Sequence, residues 1–303
     1  MEHKRVLITG ATGFIGTHLL RLLQNENYDL ALLVRHKRNA GHLLNKNVRF
    51  IEADLSQIHV AKKEIKDFDP EICVHLAWSG IPDYHSTHIA KQNLFQSIDL
   101  IDLLTAETSC RKIIACGSCS EYGKTDGECL ETEPPIAHTA LAWAKIAICH
   151  YLSLIAKTKS VDFIWLRLFY VYGPGQRKDG LLPTILDAFR QNEEPDIRNP
   201  SNAYDFVYVE DVANLLKLGL EKDVESGIYN VGTGRPTHIL NICQMAAKLM
   251  NCSVTFPSLP QTQDDTGVCF WANIKKTVEK FGWYPKYALN DGIEAMRRVY
   301  EIV

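Results

Sequence analysis

The stretch Arg5-Val-Leu-Ile-Thr-Gly-Ala-Thr-Gly-Phe-Ile-Gly16 decides the fold. Val6 to Thr9 reads as a buried strand, and Phe14 to Leu23 as an amphipathic helix. Between them Gly10, Gly13 and Gly16 recur at three-residue spacing. Gly10 permits a tight turn, Gly13 lets the backbone approach a phosphate, and Gly16 lets helix and strand pack closely. The helix start offers N–H groups without intrahelical partners and a partial positive charge. Three glycines alone also fit an ordinary loop. With a strand before them and a helix after, they predict a dinucleotide site, with Thr12, Phe14 and Ile15 beside the glycines.

Working outward, Tyr28 to Arg35 is a second apolar strand. Where an NAD site expects a carboxylate for the ribose 2′-OH, this chain has Arg35, Lys37 and Arg38. Such a cluster suits a 2′-phosphate, so NADP(H) is preferred and NAD(H) is second; a solvated basic loop is the alternative. Val48 to Ile51 is a third strand, followed by Asp54-Leu55, whose carboxylate is placed to meet the adenine. Ile72 to Leu76 runs into Ala77-Trp78, a helix from about Thr87 to Leu104 carries Asn93, and Lys112 to Ala115 precedes Gly117-Ser118. A long helix, about His138 to Lys157, contains Lys145, and a sixth strand covers Phe163 to Leu168. The alternation predicts an α/β chain, a Rossmann-type doubly wound parallel sheet with ligands beyond its carboxyl edge.

After Pro174 the rhythm loosens. A polar loop (175–183) and helices near 181–190, 211–221, 240–250, 274–281 and 291–300 accompany short strands near 204–209 and 228–231. The expectation is a dinucleotide-binding domain over 1–168 and a smaller α/β substrate lobe over 169–303, partly interleaved with it.

Composition narrows the function. Over 303 residues the formal net charge is -3, which leaves no basic footprint for nucleic acid. No apolar run reaches the roughly 18 residues of a membrane span, and the first residues lead into a strand without a secretion-type apolar segment. Nine cysteines lack paired metal spacing, and Cys116-x-x-Cys119 has no second pair, so neither a metal site nor a disulfide framework is expected. A reducing cytoplasm is the compartment they suit.

With these landmarks the chain resembles the extended short-chain dehydrogenase/reductase family, in its branch of NAD(P)-dependent nucleotide-sugar epimerases, dehydratases and 4-reductases. The resemblance spans nearly the whole chain. It rests on Thr9–Gly16, Asp54-Leu55, His75-Leu-Ala77, Asn93, and Gly117-Ser-Cys-Ser-Glu-Tyr-Gly123. Arg167-Leu-Phe-Tyr-Val-Tyr-Gly-Pro174, Tyr204-Asp-Phe-Val-Tyr-Val-Glu-Asp-Val212, Tyr229-Asn-Val-Gly232 and Phe281-Gly-Trp-Tyr-Pro285 extend it. It implies a cofactor wall that includes Leu76, Ala77, Trp78, Asn93 and Phe169, and a homodimer built through the helices near Asn93 and Lys145. Leu94, Ile98, Ile101 and Ile148, Leu152, Ile155 recur there at helical spacing, which inward packing also explains.

The resemblance further implies chemistry by a Ser/Thr, a Tyr and a Lys. The tyrosine moves the proton, the lysine lowers the tyrosine's pKa and holds the nicotinamide ribose, and the serine bonds the substrate oxygen. Ser118 and Lys145 match. The tyrosine belongs four residues before the lysine, one helical turn away, and that position is Leu141. Leucine carries no proton. Three readings stay open: another group donates, the chain binds without fast turnover, or the substitution is inactivating. Donors to consider are Cys119, Ser120, Tyr122, His138, Tyr170, or water held by Ser118 and Lys145, with Cys119 and Tyr122 leading.

Relatives grip the sugar nucleotide's diphosphate with an arginine in the region that here reads Val268-Cys-Phe-Trp-Ala-Asn-Ile-Lys275, and none is present. Arg177, Lys178 and Arg198 are the substitutes, with Ser118, Ser120 and Tyr170 expected at the sugar. The reaction expected is NADPH-dependent reduction, or epimerisation, at C4 of a nucleoside-diphosphate 4-keto-6-deoxy sugar. A dehydratase or epimerase with a different acid/base, a cofactor-binding pseudoenzyme, and a carbonyl reductase acting on an aglycone are the alternatives.

Overall fold

The computed structural model describes residues 3–37, 48–124, 126–252 and 267–301. In chain order the elements are β1 (Lys4–Thr9), α1 (Phe14–Leu23), β2 (Tyr28–Val34), β3 (Val48–Glu52), α2 (Ile58–Phe68), β4 (Ile72–His75), α3 (Thr87–Glu107) and β5 (Lys112–Ser118). There follow β6 (Asp126–Cys129), α4 (Ala140–Lys159), β7 (Asp162–Leu168), β8 (Tyr170–Tyr172), α5 (Leu181–Arg190), β9 (Ala203–Tyr204) and β10 (Phe206–Tyr208). The chain closes with α6 (Val209–Glu221), β11 (Gly227–Val231), β12 (Thr237–His238), α7 (Ile239–Leu249), β13 (Cys269–Ala272), α8 (Lys275–Phe281) and α9 (Leu289–Glu301).

Two interleaved units result. One takes Met1–Gly123, Glu133–Leu168 and Ala213–Tyr229; the other takes Lys124–Thr132, Phe169–Val212 and Asn230–Val303.

The first unit is built on a parallel sheet in the order β11-β7-β5-β4-β1-β2-β3. Strand order reverses at β1, which pairs in parallel with β2 on one side and β4 on the other. Such a reversal leaves a crevice beyond the strands' carboxyl ends, where ligands bind in open α/β sheets. Val6, Leu7 and Ile8 are fully buried in succession because helices cover both faces of the sheet. Thr9 stands beside His75 in the register, so the glycine turn and the Leu76–Trp78 turn leave the sheet together.

Among the described residues α4 is long and apolar enough to cross a membrane by length and composition only, and Lys145, Lys157 and Lys159 interrupt its apolar run. Its apolarity serves the core: Ala144, Ile148, Leu152 and Ile155 share one buried cluster with Leu100, Ile101 and Leu104 of α3. The repeats considered as an interface belong to this inward face. Leu94, Ile101, Ile148, Leu152 and Ile155 are all at most 7% exposed, and Ile98 packs against them.

The second unit has a four-stranded sheet, β12-β9-β13-β6, and a separate β8–β10 pair. Strands β6 and β13, which pair in parallel, go unannounced in the sequence. Four residues each are too few to show a period-2 pattern. Leu182, Ile185, Phe189, Ile242, Ala246 and Ile293 from α5, α7 and α9 form this unit's core. Two carboxylates of the Tyr204–Val212 signature tie its loops. Buried Asp205 accepts from Thr233 N and Oγ1 at 2.6 Å each, Gly234 N at 2.9 Å and Ala272 N at 3.1 Å. Asp211 accepts from Lys286 N at 2.9 Å and Tyr287 N at 3.2 Å.

Candidate active site

The glycine turn has the shape a dinucleotide pyrophosphate needs. Gly10 has φ +70°, and a Cβ there would lie 2.6 Å from Ala77 N. A Cβ on Gly16 would lie 2.3 Å from Gly10 O, so strand and helix approach as closely as two glycines allow. Gly13 is exposed, and its missing Cβ would meet only Gly10 O at 3.2 Å. Helix α1 starts without a side-chain cap and without an acidic residue in its first turn, which leaves its N–H groups to an anion. Thr12, Phe14 and Ile15 are at least partly exposed beside them. This cradle fits a nicotinamide dinucleotide, and Gly13 to Gly16 are the residues that would hold its pyrophosphate.

Beyond β2, Arg35 and Lys37 are exposed, and Arg38 lies outside the described residues. Asp54 is engaged locally: it accepts from Ser56 N at 2.8 Å and Ser56 Oγ at 2.6 Å. Those bonds, with Arg35 and His36 nearby, hold its carboxyl below the usual range.

A buried chain of hydrogen bonds fixes the wall at Leu76–Trp78. His75 Nδ1 is 2.8 Å from Thr9 Oγ1 and Nε2 is 3.0 Å from Ser97 Oγ. Ser97 Oγ donates to Asn93 O at 2.7 Å, so it accepts from Nε2–H, and Nδ1 is left to accept from Thr9. Burial first, and the Lys145 charge second, push the His75 pKa down to about 3, which makes it a neutral link. The Asn93 side chain accepts from Ser79 N at 2.9 Å and donates to Ser79 O at 3.1 Å and Ile89 O at 2.9 Å. Its amide is committed to the backbone of Ser79 and Ile89.

Lys145 reaches this turn from α4. Its Nζ donates to Cys116 O at 2.6 Å and stands 3.9 Å from the centroid of the Trp78 ring. Burial pushes its pKa down to about 8, against a smaller opposing pull from Cys116 and Glu121. One turn earlier, Leu141 is 8% exposed, and its N–H donates to Tyr84 O at 3.0 Å. Thr139 caps the helix by accepting from Ala142 N at 3.1 Å.

Ser118 ends β5, and the turn Cys119–Tyr122 follows it. Ser118 Oγ accepts from Ser120 N at 3.2 Å and from Ser120 Oγ at 2.9 Å. Glu121, fully buried, is the residue the sequence reading missed. It accepts from Ser118 N at 2.7 Å, Trp165 Nε1 at 3.1 Å and Arg167 Nε at 2.9 Å. Ser118 and Glu121 form a reciprocal capping box, a Ser-x-x-Glu spacing that is legible in the sequence. Gly117 makes room for it, since a Cβ there would lie 2.3 Å from both Glu121 Oε1 and Trp165 Nε1.

Tyr122, an expected donor, lies in the interior. It is 2% exposed beneath the Arg167 guanidinium, 4.6 Å from its ring centroid, so its phenol is not presented to a ligand. Cys116 is buried as well, with its thiol pushed up to about 12 by that burial. Ser118, Cys119 and Ser120 stay partly exposed.

The second unit holds the remaining candidates. Phe169 is buried at 4% exposure, and Tyr170 is 36% exposed, stacked on Tyr204 with ring centroids 4.2 Å apart. Arg177 Nε lies 3.3 Å from Asp179, and Arg198 Nε lies 3.8 Å from Asp196 with its side chain 87% exposed. None of the nine cysteines forms a disulfide, and the described residues contain no cluster that could hold a metal ion.

Comparison with known proteins agrees with this geometry. A model of the NAD dependent epimerase/dehydratase family matches residues 6–232. A CDP-abequose synthase of Salmonella typhimurium is 28% identical over 96% of this chain and 96% of its own. A dTDP-4-dehydro-6-deoxyglucose reductase of Escherichia coli is 25% identical over 96% of each chain. The crystal structure of a Bacillus cereus UDP-glucuronic acid 4-epimerase with UDP-glucuronic acid and NAD superposes with a TM-score of 0.85 at 24% identity, covering 99% of this chain and 100% of that one.

Proposed function

The chain belongs to the NAD-dependent epimerase/dehydratase family of nucleotide-sugar enzymes, and on that premise we propose that it reduces the C4 keto group of a nucleoside-diphosphate 4-keto-6-deoxy sugar with NADPH. One observation carries the reading. Ser118, at the carboxyl end of β5, and Lys145, bonded to Cys116 on the same strand, flank a ligand-ready strand edge beside the glycine cradle. Gly10 to Gly16 would hold a nicotinamide cofactor, which would supply the hydride. Ser118 donates its hydroxyl hydrogen bond to the keto oxygen. The Lys145 ammonium holds the ribose and lends positive charge where the oxygen becomes an alkoxide.

The basic Arg35 and Lys37, with no carboxylate at the end of β2, support NADP(H) over NAD(H). By resemblance, Tyr170 is the candidate for the sugar and Arg177 for the diphosphate, with Arg198 as a further cation. A homodimer forms through α3 and α4, where Phe95 (61%), Leu154 (56%) and Trp143 (44%) remain exposed outside the inward apolar stripe. Three large apolar groups on two neighbouring helices are the kind of surface a second copy covers. NADPH consumption with a set of nucleoside-diphosphate 4-keto sugars tests the reading.

A second reading follows from Leu141, whose hydrocarbon side chain cannot move a proton: a cofactor-binding protein without turnover. Tight NADPH binding with no reaction on any keto sugar would select it. A dehydratase or epimerase with another acid/base would instead convert a nucleotide sugar without net consumption of NADPH.

A further inference from the structure

The geometry points to a two-hydroxyl relay at the end of β5: Ser118 gives the proton to the substrate's keto oxygen, and Ser120 re-supplies Ser118. The relay deepens the reductive reading above and rests on it. Ser118 Oγ accepts two hydrogen bonds, from Ser120 N at 3.2 Å and Ser120 Oγ at 2.9 Å. A hydroxyl has two acceptor lone pairs and one proton. With both lone pairs engaged, the Ser118 proton is directed elsewhere, and among the described residues nothing accepts it. The serine thus arrives pre-set as a donor, its backbone pinned by Glu121 at 2.7 Å.

Several groups near this turn are committed or closed off, while Cys119, partly exposed, is the rival donor that the test below separates from Ser120. Tyr122 is buried beneath Arg167, Cys116 is buried, His75 has both ring nitrogens engaged, and Leu141 has no proton. Ser120 donates to Ser118 and is partly exposed, so its lone pairs are open to water.

The balance closes. The C4 carbon gains hydride from the reduced nicotinamide, and the carbonyl π pair moves to oxygen. As the new O–H bond forms there, the Ser118 O–H bond breaks. Ser118 takes the Ser120 proton, and Ser120 takes one from water. One ketone, one reduced nicotinamide and one proton become one alcohol and one oxidised nicotinamide. Glu121 is a positioning residue in this scheme, acting through the Ser118 backbone.

The test is single-turnover oxidation of bound NADPH by a nucleoside-diphosphate 4-keto sugar, with cofactor affinity read separately by fluorescence. If the unaltered protein oxidises no NADPH, the reductive reading itself fails. With turnover established, Ser120→Ala should slow the step by ~10²-fold, the lower end for loss of a positioned acid, with NADPH Kd changed less than twofold. Ser120→Thr, which restores a hydroxyl, should recover most of the rate. The double variant Ser118→Ala/Ser120→Ala should be no slower than Ser118→Ala, because the two act as one unit. Rates in H2O/D2O mixtures should bow for the unaltered protein, as two protons in flight require, and become linear for Ser120→Ala. A Ser120→Ala rate equal to that of the unaltered protein would overturn the relay while leaving the reductive reading intact. Loss of turnover in Cys119→Ala with Ser120→Ala unaffected would do the same.

Discussion

Lys145 Nζ stands 3.9 Å from the centroid of the Trp78 ring and gives a hydrogen bond to Cys116 O. One helical turn earlier, where its expected phenol partner belongs, is Leu141. The ammonium is therefore held by an aromatic face and a carbonyl, neither of which titrates, and its burial sets its response to pH.

Burial gives Lys145 a pKa of about 8 in the folded chain, against 10.5 for an unperturbed lysine. Between those values the unfolded state binds the extra proton, so this group's contribution to stability rises as pH climbs from about 8 towards 10.5. Its charge disappears over the same range. Activity that needs the ammonium should fall above pH about 8, in a pH–rate profile of kcat/KM. Lys145→Arg, which stays charged, should lose that alkaline limb if it turns over at all.

Glu121 makes the Ser118 turn vulnerable at two points. Glu121→Ala leaves the Arg167 guanidinium buried without its carboxylate, which should cost about 3–5 kcal/mol in urea unfolding. Gly117→Ala would drive a methyl against Glu121 Oε1 and Trp165 Nε1, and about 1–3 kcal/mol is the scale for overpacking of this kind. Both variants should lose turnover more than NADPH binding, because the glycine cradle lies on another strand.

Much of the first unit was legible because its signals are local. Val6 to Thr9 followed by three glycines states strand, turn and helix within a dozen residues, and both Leu141 and Lys145 fall on the helix their spacing suggested. Other features depend on partners distant in sequence. Glu121 is 46 residues from Arg167, and nothing in its own neighbourhood says that it is buried, although the Ser-x-x-Glu spacing announced half of its role. The packing of Arg167 over Tyr122 is equally invisible in the residues around that tyrosine. Strands β6 and β13 are too short to read. Apolar repeats on α3 and α4 show that a helix has an apolar face, but not whether a sheet or a second chain covers it.

Cofactor choice can be tested at one residue. Arg35→Ala should raise the Kd for NADPH about tenfold or more and leave that for NADH within twofold, in fluorescence titrations. A bidentate contact to phosphate at roughly 1.5–3 kcal/mol supplies that margin. Equal losses for both cofactors would remove Arg35 from 2′-phosphate recognition.

The proposed dimer rests on exposed apolar groups. Phe95→Glu combined with Leu154→Glu should convert a dimer to a monomer in light scattering, with the secondary structure unchanged, because both side chains are more than half exposed in the single chain. An unaltered protein that runs as a monomer at micromolar concentration would refute the interface.

The most direct measurement of the central claim is NADPH oxidation in the presence of nucleoside-diphosphate 4-keto-6-deoxy sugars, with the product identified by mass. The account predicts one alcohol formed per NADPH consumed, with the rate falling by ~10²-fold or more in Ser118→Ala and falling again in Lys145→Met. Tight NADPH binding without oxidation of any member of the set, together with turnover gained by Leu141→Tyr, would contradict it.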